Sequence, residues 1–414
     1  MLNIKILKIF LILVILFLAI YNIQWAQSFD YHKEESPSIS WNGISIFDAR
    51  LLGSAGISLM ASPGLAVISN PALIPFDPSI KVSGSWNVSR YEAFQYWGMN
   101  QGPLIDIHNQ SETKSNVSSL CITIPIKSII FATGWYTPNT LELPSYNYNE
   151  TYYSYKGEFS GIQHSFFAAT AFHLLKNVQI GLKLEYLLGT RNVYLDEIYS
   201  GYPFTFTQSE KHRMHTLIPT IGAAIQLLPS WKIAASLVYP LRGQSNCTLN
   251  RVFISPQTRI EIKDLKSNDS LYTPARISIG TTAGFLPAPF NPGEYRLTVG
   301  AELMYVAWST YKYEFYSQFL PRQMRNTLIF ALAMQWGIYN GNKNYFLRLG
   351  YRRDPQPVKN PSVTLNGISA GIGTQIGKYS ADIGGFYTNG QYTGIKQSHW
   401  VFNTTMQISL GSKQ

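Results

Sequence analysis

Five residues, Gly367-Ile368-Ser369-Ala370-Gly371, spell G-x-S-x-G, and His212 and His215 stand three positions apart. The first pattern has the letters of a nucleophile elbow, which needs a strand, a sharp turn and a helix to expose the serine, with His and Asp partners nearby. Ser369 instead lies in unbroken period-two alternation, with Ile368, Ala370 and Ile372 on the opposite face, and another strand pattern follows. Two histidines three apart share a helix face but point to opposite faces of a strand, and the pattern around them is strand. Cys121 and Cys247 are too few for a Cys-rich zinc site or a disulfide framework. There is no G-x-x-x-x-G-K-[ST] loop, and the basic excess is not interleaved with aromatics as a nucleic-acid platform requires. No catalytic, metal or cofactor site is therefore expected, and no nucleic-acid partner. The remaining chemistry rests with charges inside strand patterns: Lys183, Glu185, Arg276, Arg296, Glu302, Arg348, Arg352 and Asp382.

The elements that carry these charges share one design. Over 178–188, Val178, Ile180, Leu182, Leu184, Tyr186 and Leu188 form one face, and Gln179, Gly181, Lys183 and Glu185 the other. Tyr295, Leu297, Val299, Ala301, Leu303 and Tyr305 likewise oppose Arg296, Thr298, Gly300 and Glu302. Tyr345, Leu347, Leu349 and Tyr351 oppose Phe346, Arg348, Gly350 and Arg352, and Asp382 opposes Tyr379, Ala381, Ile383 and Tyr387. Near the start, Ile80, Val82, Trp86 and Val88 oppose Lys81, Ser83, Ser85 and Asn87.

Composition says which face meets what. Only 14% of the 414 residues are charged, against roughly 25% in soluble domains, and 14% are aromatic, 27 of them Tyr. Residues 1–28 read as a secretory signal: Lys5 and Lys8, an uncharged run Ile9–Ile20, then Ala26-Gln27-Ser28 before a cut. Its removal lowers the formal net charge from +10 to +8. No later segment reaches the 18 consecutive apolar residues of a membrane helix. An exported chain of this kind is either a soluble β protein or an outer-membrane barrel. Fourteen strand patterns are found, joined by short connections at Lys127-Ser128, Leu175–Asn177, Leu228–Ser230, Ala288–Gly293, Asn340–Asn342 and Gly377-Lys378. These alternate with long polar connections such as 99–117, 140–157, 196–211 and 246–272. Short turns alternating with long loops predict an antiparallel fourteen-stranded transmembrane β-barrel with periplasmic termini. Tyr186, Tyr239, Tyr305, Tyr351 and Tyr387 fall at the long-loop ends, as an interfacial girdle requires, and the eight charges fall in the lumen.

Asp48 to Leu73 breaks the alternation. It is rich in small residues, with Gly53, Gly56, Gly64, Pro63 and the sequence Asn70-Pro71-Ala72. The stretch resembles the N-terminal part of the long-chain fatty-acid outer-membrane transporter superfamily, which includes the PorV-like barrels of type IX secretion. Glu302–Tyr305 followed by Trp308-Ser309, Leu347–Tyr351 followed by Pro355 and Pro357, and Asn366-Gly367 through Gly371, Gly373, Asp382 and Tyr387 are similar to the same superfamily. The chain departs from it at Ser62-Pro63-Gly64, where an acidic pair is usual, at Leu73, and in lacking a terminal aromatic. The resemblance implies a fourteen-stranded barrel.

The expected organisation is a signal peptide (1–28), a linker (29–42), a plug or hatch (43–76) and the barrel (77–414). Gly53, Gly56 and Gly64 would let the plug pack closely, while Pro63 and Pro71 would keep it from adding a strand. The expected function is passive passage of hydrophobic or amphipathic small molecules such as fatty acids across a bacterial outer membrane, with outer-membrane lipid and such a ligand as partners. The alternative is a PorV-like anchor for a secretion-system protein.

Overall fold

The computed structural model describes residues 47–94, 110–138, 143–149, 154–199, 204–272, 274–287, 295–310, 312–313, 325–340, 342–357, 364–392 and 395–411. The expected signal peptide, linker, first plug residues and Ala288–Gly293 turn lie outside them.

The described strands are β1 (Ile80–Phe94), β2 (Gln110–Ile126), β3 (Ile129–Tyr136), β4 (Leu143–Asn149), β5 (Ser154–Leu175) and β6 (Val178–Tyr199). They continue as β7 (Phe204–Leu228), β8 (Trp231–Val238), β9 (Gly243–Ile254), β10 (Arg259–Tyr272), β11 (Ala275–Pro287) and β12 (Tyr295–Ala307). The last are β13 (Lys312–Tyr313), β14 (Thr327–Asn340), β15 (Lys343–Pro355), β16 (Thr364–Ile376), β17 (Tyr379–Tyr392) and β18 (Ile395–Leu410). Fourteen of them, all but β4, β9, β10 and β13, pair antiparallel in a ring. The ring is closed by β1 and β18, from Ile80↔Leu410 to Phe94↔Lys396. Closure leaves no edge within the membrane, the condition for a sheet to survive in hydrocarbon.

The ring puts the apolar faces outside. Leu182, Leu184, Val299, Leu347, Ile372 and Ile383 are exposed, whereas Lys183, Glu185, Glu302, Arg348 and Asp382, their neighbours in sequence, are buried. In water such a surface would be untenable; in lipid it is the favourable one. Tyr186, Tyr239, Tyr305 and Tyr351 are exposed at the long-loop end and Tyr387 is half-buried there. Trp231, Trp336, Tyr345 and Tyr379 are exposed toward the short-turn end, so the apolar band lies between two aromatic girdles. An even-stranded antiparallel barrel with this exterior is a bacterial outer-membrane protein. No helix among the described residues is long and apolar enough to cross a membrane.

Two details differ from the sequence reading. Val178, expected on the outer face, is buried. None of the four long connections is simply loop: 110–117 belongs to β2, 143–149 and 154–157 to β4 and β5, and 196–211 and 246–272 are largely strand, with β6 and β7 paired from Val178↔Ile225 to Tyr199↔Phe204 and the hairpin β9–β10 annealed to β7. Alternation continues there with polar residues on both faces, which ends the apolar signal but not the ladder.

Candidate functional site

The segment from Phe47 to Phe76 sits inside the ring as two short helices, Ala49–Gly53 and Ala66–Ser69, and two 3-10 turns, Ser58–Met60 and Pro71–Leu73. Leu51, Leu52, Ile57, Leu65, Val67 and Ile74 are each no more than 1% exposed. This is the plug, and glycines bring it against the wall. A Cβ on Gly53 would lie 3.0 Å from the Cα of Gly371 in β16, and one on Gly384 in β17 would lie 2.0 Å from the carbonyl oxygen of Ala49. Opposite, Cβ atoms on Gly181 and Gly222 would strike Pro71 at 2.2 Å and Asn70 Oδ1 at 2.0 Å. Gly64 is equally confined, 2.0 Å from Ser83 Oγ by the same measure, and Gly56 adopts a φ of +86° that favours glycine.

Asn70-Pro71-Ala72 is a capping device. Asn70 Oδ1 accepts from the Ala72 amide at 2.9 Å, Pro71 opens the 3-10 turn where no N–H is needed, and Asn70 Nδ2 donates to Ala235 O in β8 at 3.0 Å. Ser369, whose neighbours imitate an elbow, pins the plug: its Oγ accepts from the Ala55 amide and donates to Gly53 O, both at 3.0 Å. Asp48 Oδ2 and Oδ1 accept from the Ser62 amide and hydroxyl at 2.6 Å, tying the plug to itself at the departure Ser62-Pro63-Gly64.

The eight lumenal charges divide. Glu302 Oε2 accepts from the Ser58 amide at 2.7 Å and hydroxyl at 2.6 Å. Lys183 Nζ donates to Ile68 O at 2.6 Å and pairs with Glu185 at 2.9 Å, and Glu185 also accepts from Tyr136 OH at 2.8 Å. Arg348 pairs with Asp382 at 2.7 Å and donates to Gln335; Arg50 of the plug approaches the same Asp382 at 3.8 Å. Arg352 lies 3.6 Å from Asp354. Arg296 is exposed near the short-turn end. Arg276 alone of the eight is half-buried, and it makes no hydrogen bond or ion pair among the described residues.

Above the plug is a cavity of about 150 Å³. Phe47, Gly56, Ser58, Ile68 and Ser69 of the plug contribute to its lining, and the polar wall groups are Tyr136, Gln163, Lys183, Glu185, Ser236, Arg276, Ser278, Glu302, Asp354 and Gln356. Leu187, Ile218, Val238, Met304, Val306, Trp308 and Ile329 form an apolar upper wall. Arg296, Arg348, Arg352 and Asp382 are not part of the lining. The upper wall was missed in the sequence reading although a signal exists: Tyr186-Leu187-Leu188, Leu217-Ile218, Met304-Tyr305-Val306 and Leu328-Ile329 are apolar on both faces, at the same height on four strands.

Solved structures share this architecture. A Pseudomonas aeruginosa FadL homologue superimposes with a TM-score of 0.65 at 12% identity, covering 87% of this chain and 98% of that one. The chain has the fold of FadL-type barrels. The CymD monoaromatic hydrocarbon channel gives a TM-score of 0.60 at 13% identity, covering 90% of this chain and all of that one. The Pseudomonas putida toluene transporter TodX gives 0.59 at 14% identity, covering 92% and 99%. No protein-family model matches the sequence, and no curated protein does. The FadL-type fold thus reaches this chain through geometry: ring, plug and a cavity above it.

Proposed function

We propose that this FadL-type barrel is a passive outer-membrane conduit for hydrophobic or amphipathic small molecules, fatty acids among them, and that the cavity above the plug is where they are captured. The observation that carries the reading is the cavity's division into an apolar upper wall and a polar side containing the Arg276 guanidinium, which has no hydrogen-bond or ion-pair partner among the described residues. A cavity of about 150 Å³ has room for a benzene-sized body against its apolar wall, and a cation at its side suits an anionic head. The names of CymD and TodX, a hydrocarbon channel and a toluene transporter, agree with that size class. Nothing in the cavity or plug favours the secretion-anchor reading over this one.

The test is ligand binding to the purified protein by calorimetry, using an aromatic carboxylate, a medium-chain fatty acid and toluene. Both acids should bind, and Arg276→Gln should weaken them by about tenfold, one charge-assisted bond, while leaving toluene unchanged. Failure of all three to bind, with the barrel folded, would sink the proposal.

A further inference from the structure

The outer face of the extension above the membrane carries a charge pattern that transport does not use. On β7 the apolar belt ends at Leu217, the partner of Tyr186, and on β6 it runs on to Leu188, the partner of His215; Leu217, Tyr186 and Leu188 are all exposed. Further along the same face come His215, Arg213 and Lys211. Lys211 pairs across to Thr248 of β9, and Thr248 to Lys266 of β10, so Lys211 and Lys266 stand in one transverse row with Arg213 in the row below. All three cations are exposed, and none makes a hydrogen bond or ion pair among the described residues. Of the described acids here, Asp196 accepts from Thr207 and Glu261 pairs with both Arg259 and Lys263, while Asp264, exposed at the bulge of β10, donates its amide to Asn250 and leaves three cations facing one carboxylate.

We propose that Lys211, Arg213 and Lys266 bind the phosphorylated saccharide head of lipopolysaccharide. Height selects this partner. Arg213 and Lys211 lie two and four residues beyond the His215–Leu188 row, about 7 and 13 Å along the strand, or roughly 5 and 10 Å above that last apolar row once strand tilt is allowed for. A phospholipid phosphate sits within the thin interfacial layer just outside the hydrocarbon. The phosphates of a lipid carrying a sugar head extend through the height these cations span. The face also looks outward, toward the surrounding lipid rather than the pore, and the site stands independently of what the pore conducts.

The full chain in neutral detergent is titrated with rough-type lipopolysaccharide, the same material after phosphatase treatment, and phosphatidylglycerol micelles. Removing the three charges as Lys211→Gln, Arg213→Gln and Lys266→Gln should weaken binding of the intact material on the order of a hundredfold, about fivefold per charge. Arg259→Gln with Lys263→Gln, whose cations already hold Glu261, should change it by about twofold or less. Phosphatase treatment should reproduce the triple loss in the unaltered protein. As a check without substitutions, lipopolysaccharide should protect Lys211 and Lys266 from amine acylation in the unaltered chain and leave Lys263 reactive. Unchanged affinity of the triple variant, equal affinity for phosphatidylglycerol, or unprotected Lys211 and Lys266 would each overturn the proposal.

Discussion

Replacing Ser369 by Ala removes one oxygen from the barrel wall and two bonds from the plug. Its hydroxyl is the partner of the Ala55 amide and of Gly53 O, both at 3.0 Å in a buried setting. After Ser369→Ala a donor and an acceptor of the plug backbone are left without partners where water does not reach. Each orphaned buried group costs about 1–3 kcal/mol, partly relieved by relaxation, so a total of about 2–4 kcal/mol is expected. The penalty falls on the docked plug alone, because an undocked plug solvates both groups. It should therefore raise the population of plug-open molecules by roughly 30- to 1000-fold, at about 1.4 kcal/mol per decade. Hydrogen exchange of peptides from 47–76, followed by mass spectrometry in lipid nanodiscs, reads that population. Ile368→Ala, one residue away on a side chain facing lipid, is the control and should leave plug exchange unchanged. Plug exchange in Ser369→Ala within about twofold of the unaltered protein, under conditions where exchange follows the opening equilibrium, would refute the docking energetics argued here.

Two further outcomes are expected. Leu182→Arg, at a position 46% exposed to hydrocarbon, should destabilise the barrel in lipid by about 2–4 kcal/mol, whereas Thr298→Arg, on the inner face, should cost far less; urea unfolding in vesicles measures both. Asp77 lies outside the strands, and although partial burial works against its carboxylate, hydrogen bonds from Lys81 and Ser79 outweigh this and hold its pKa below the usual value. A depressed folded-state pKa means that its stabilisation is complete above the unfolded value of about 3.9 and is lost as pH falls through the folded one. An Asp77→Asn variant should show a flatter stability profile in that acid window, and an unchanged acid limb would refute the assignment.

The ring was legible because membrane strands write their orientation directly into the sequence. Leu347, Leu349 and Tyr351 against Arg348 and Arg352 leave one arrangement, apolar out and charged in, once the chain is known to be exported. The plug was legible as an interruption, and its glycines as points of close approach, but their counterparts Gly181, Gly222, Gly371 and Gly384 were not. Each lies on the polar face of a strand, where a glycine looks the same whether it faces water or another backbone. Nor could the lumenal charges be sorted. Arg348 and Arg276 have similar sequence surroundings, yet one meets Asp382 and the other meets the cavity, because the neighbouring strands and the plug bring different groups to them. Lys183 is the instructive case. It reads as a free lumenal cation, and a change to Gln would look harmless, but its ammonium holds Ile68 O of the plug.

The plug touches the ring at widely separated points. Phe47 O accepts from Ser85 of β1 and Ser119 of β2, Ala49 N donates to Thr405 of β18, Ser58 binds Glu302 of β12, and Asn70 reaches β8. A cylinder braced across its diameters resists ovalisation far better than an empty one. The segment is then a spoke assembly as well as a plug. Excising it would alter the shape and rigidity of the ring together with its permeability, so a rise in leak after such a deletion cannot by itself be ascribed to an unblocked passage.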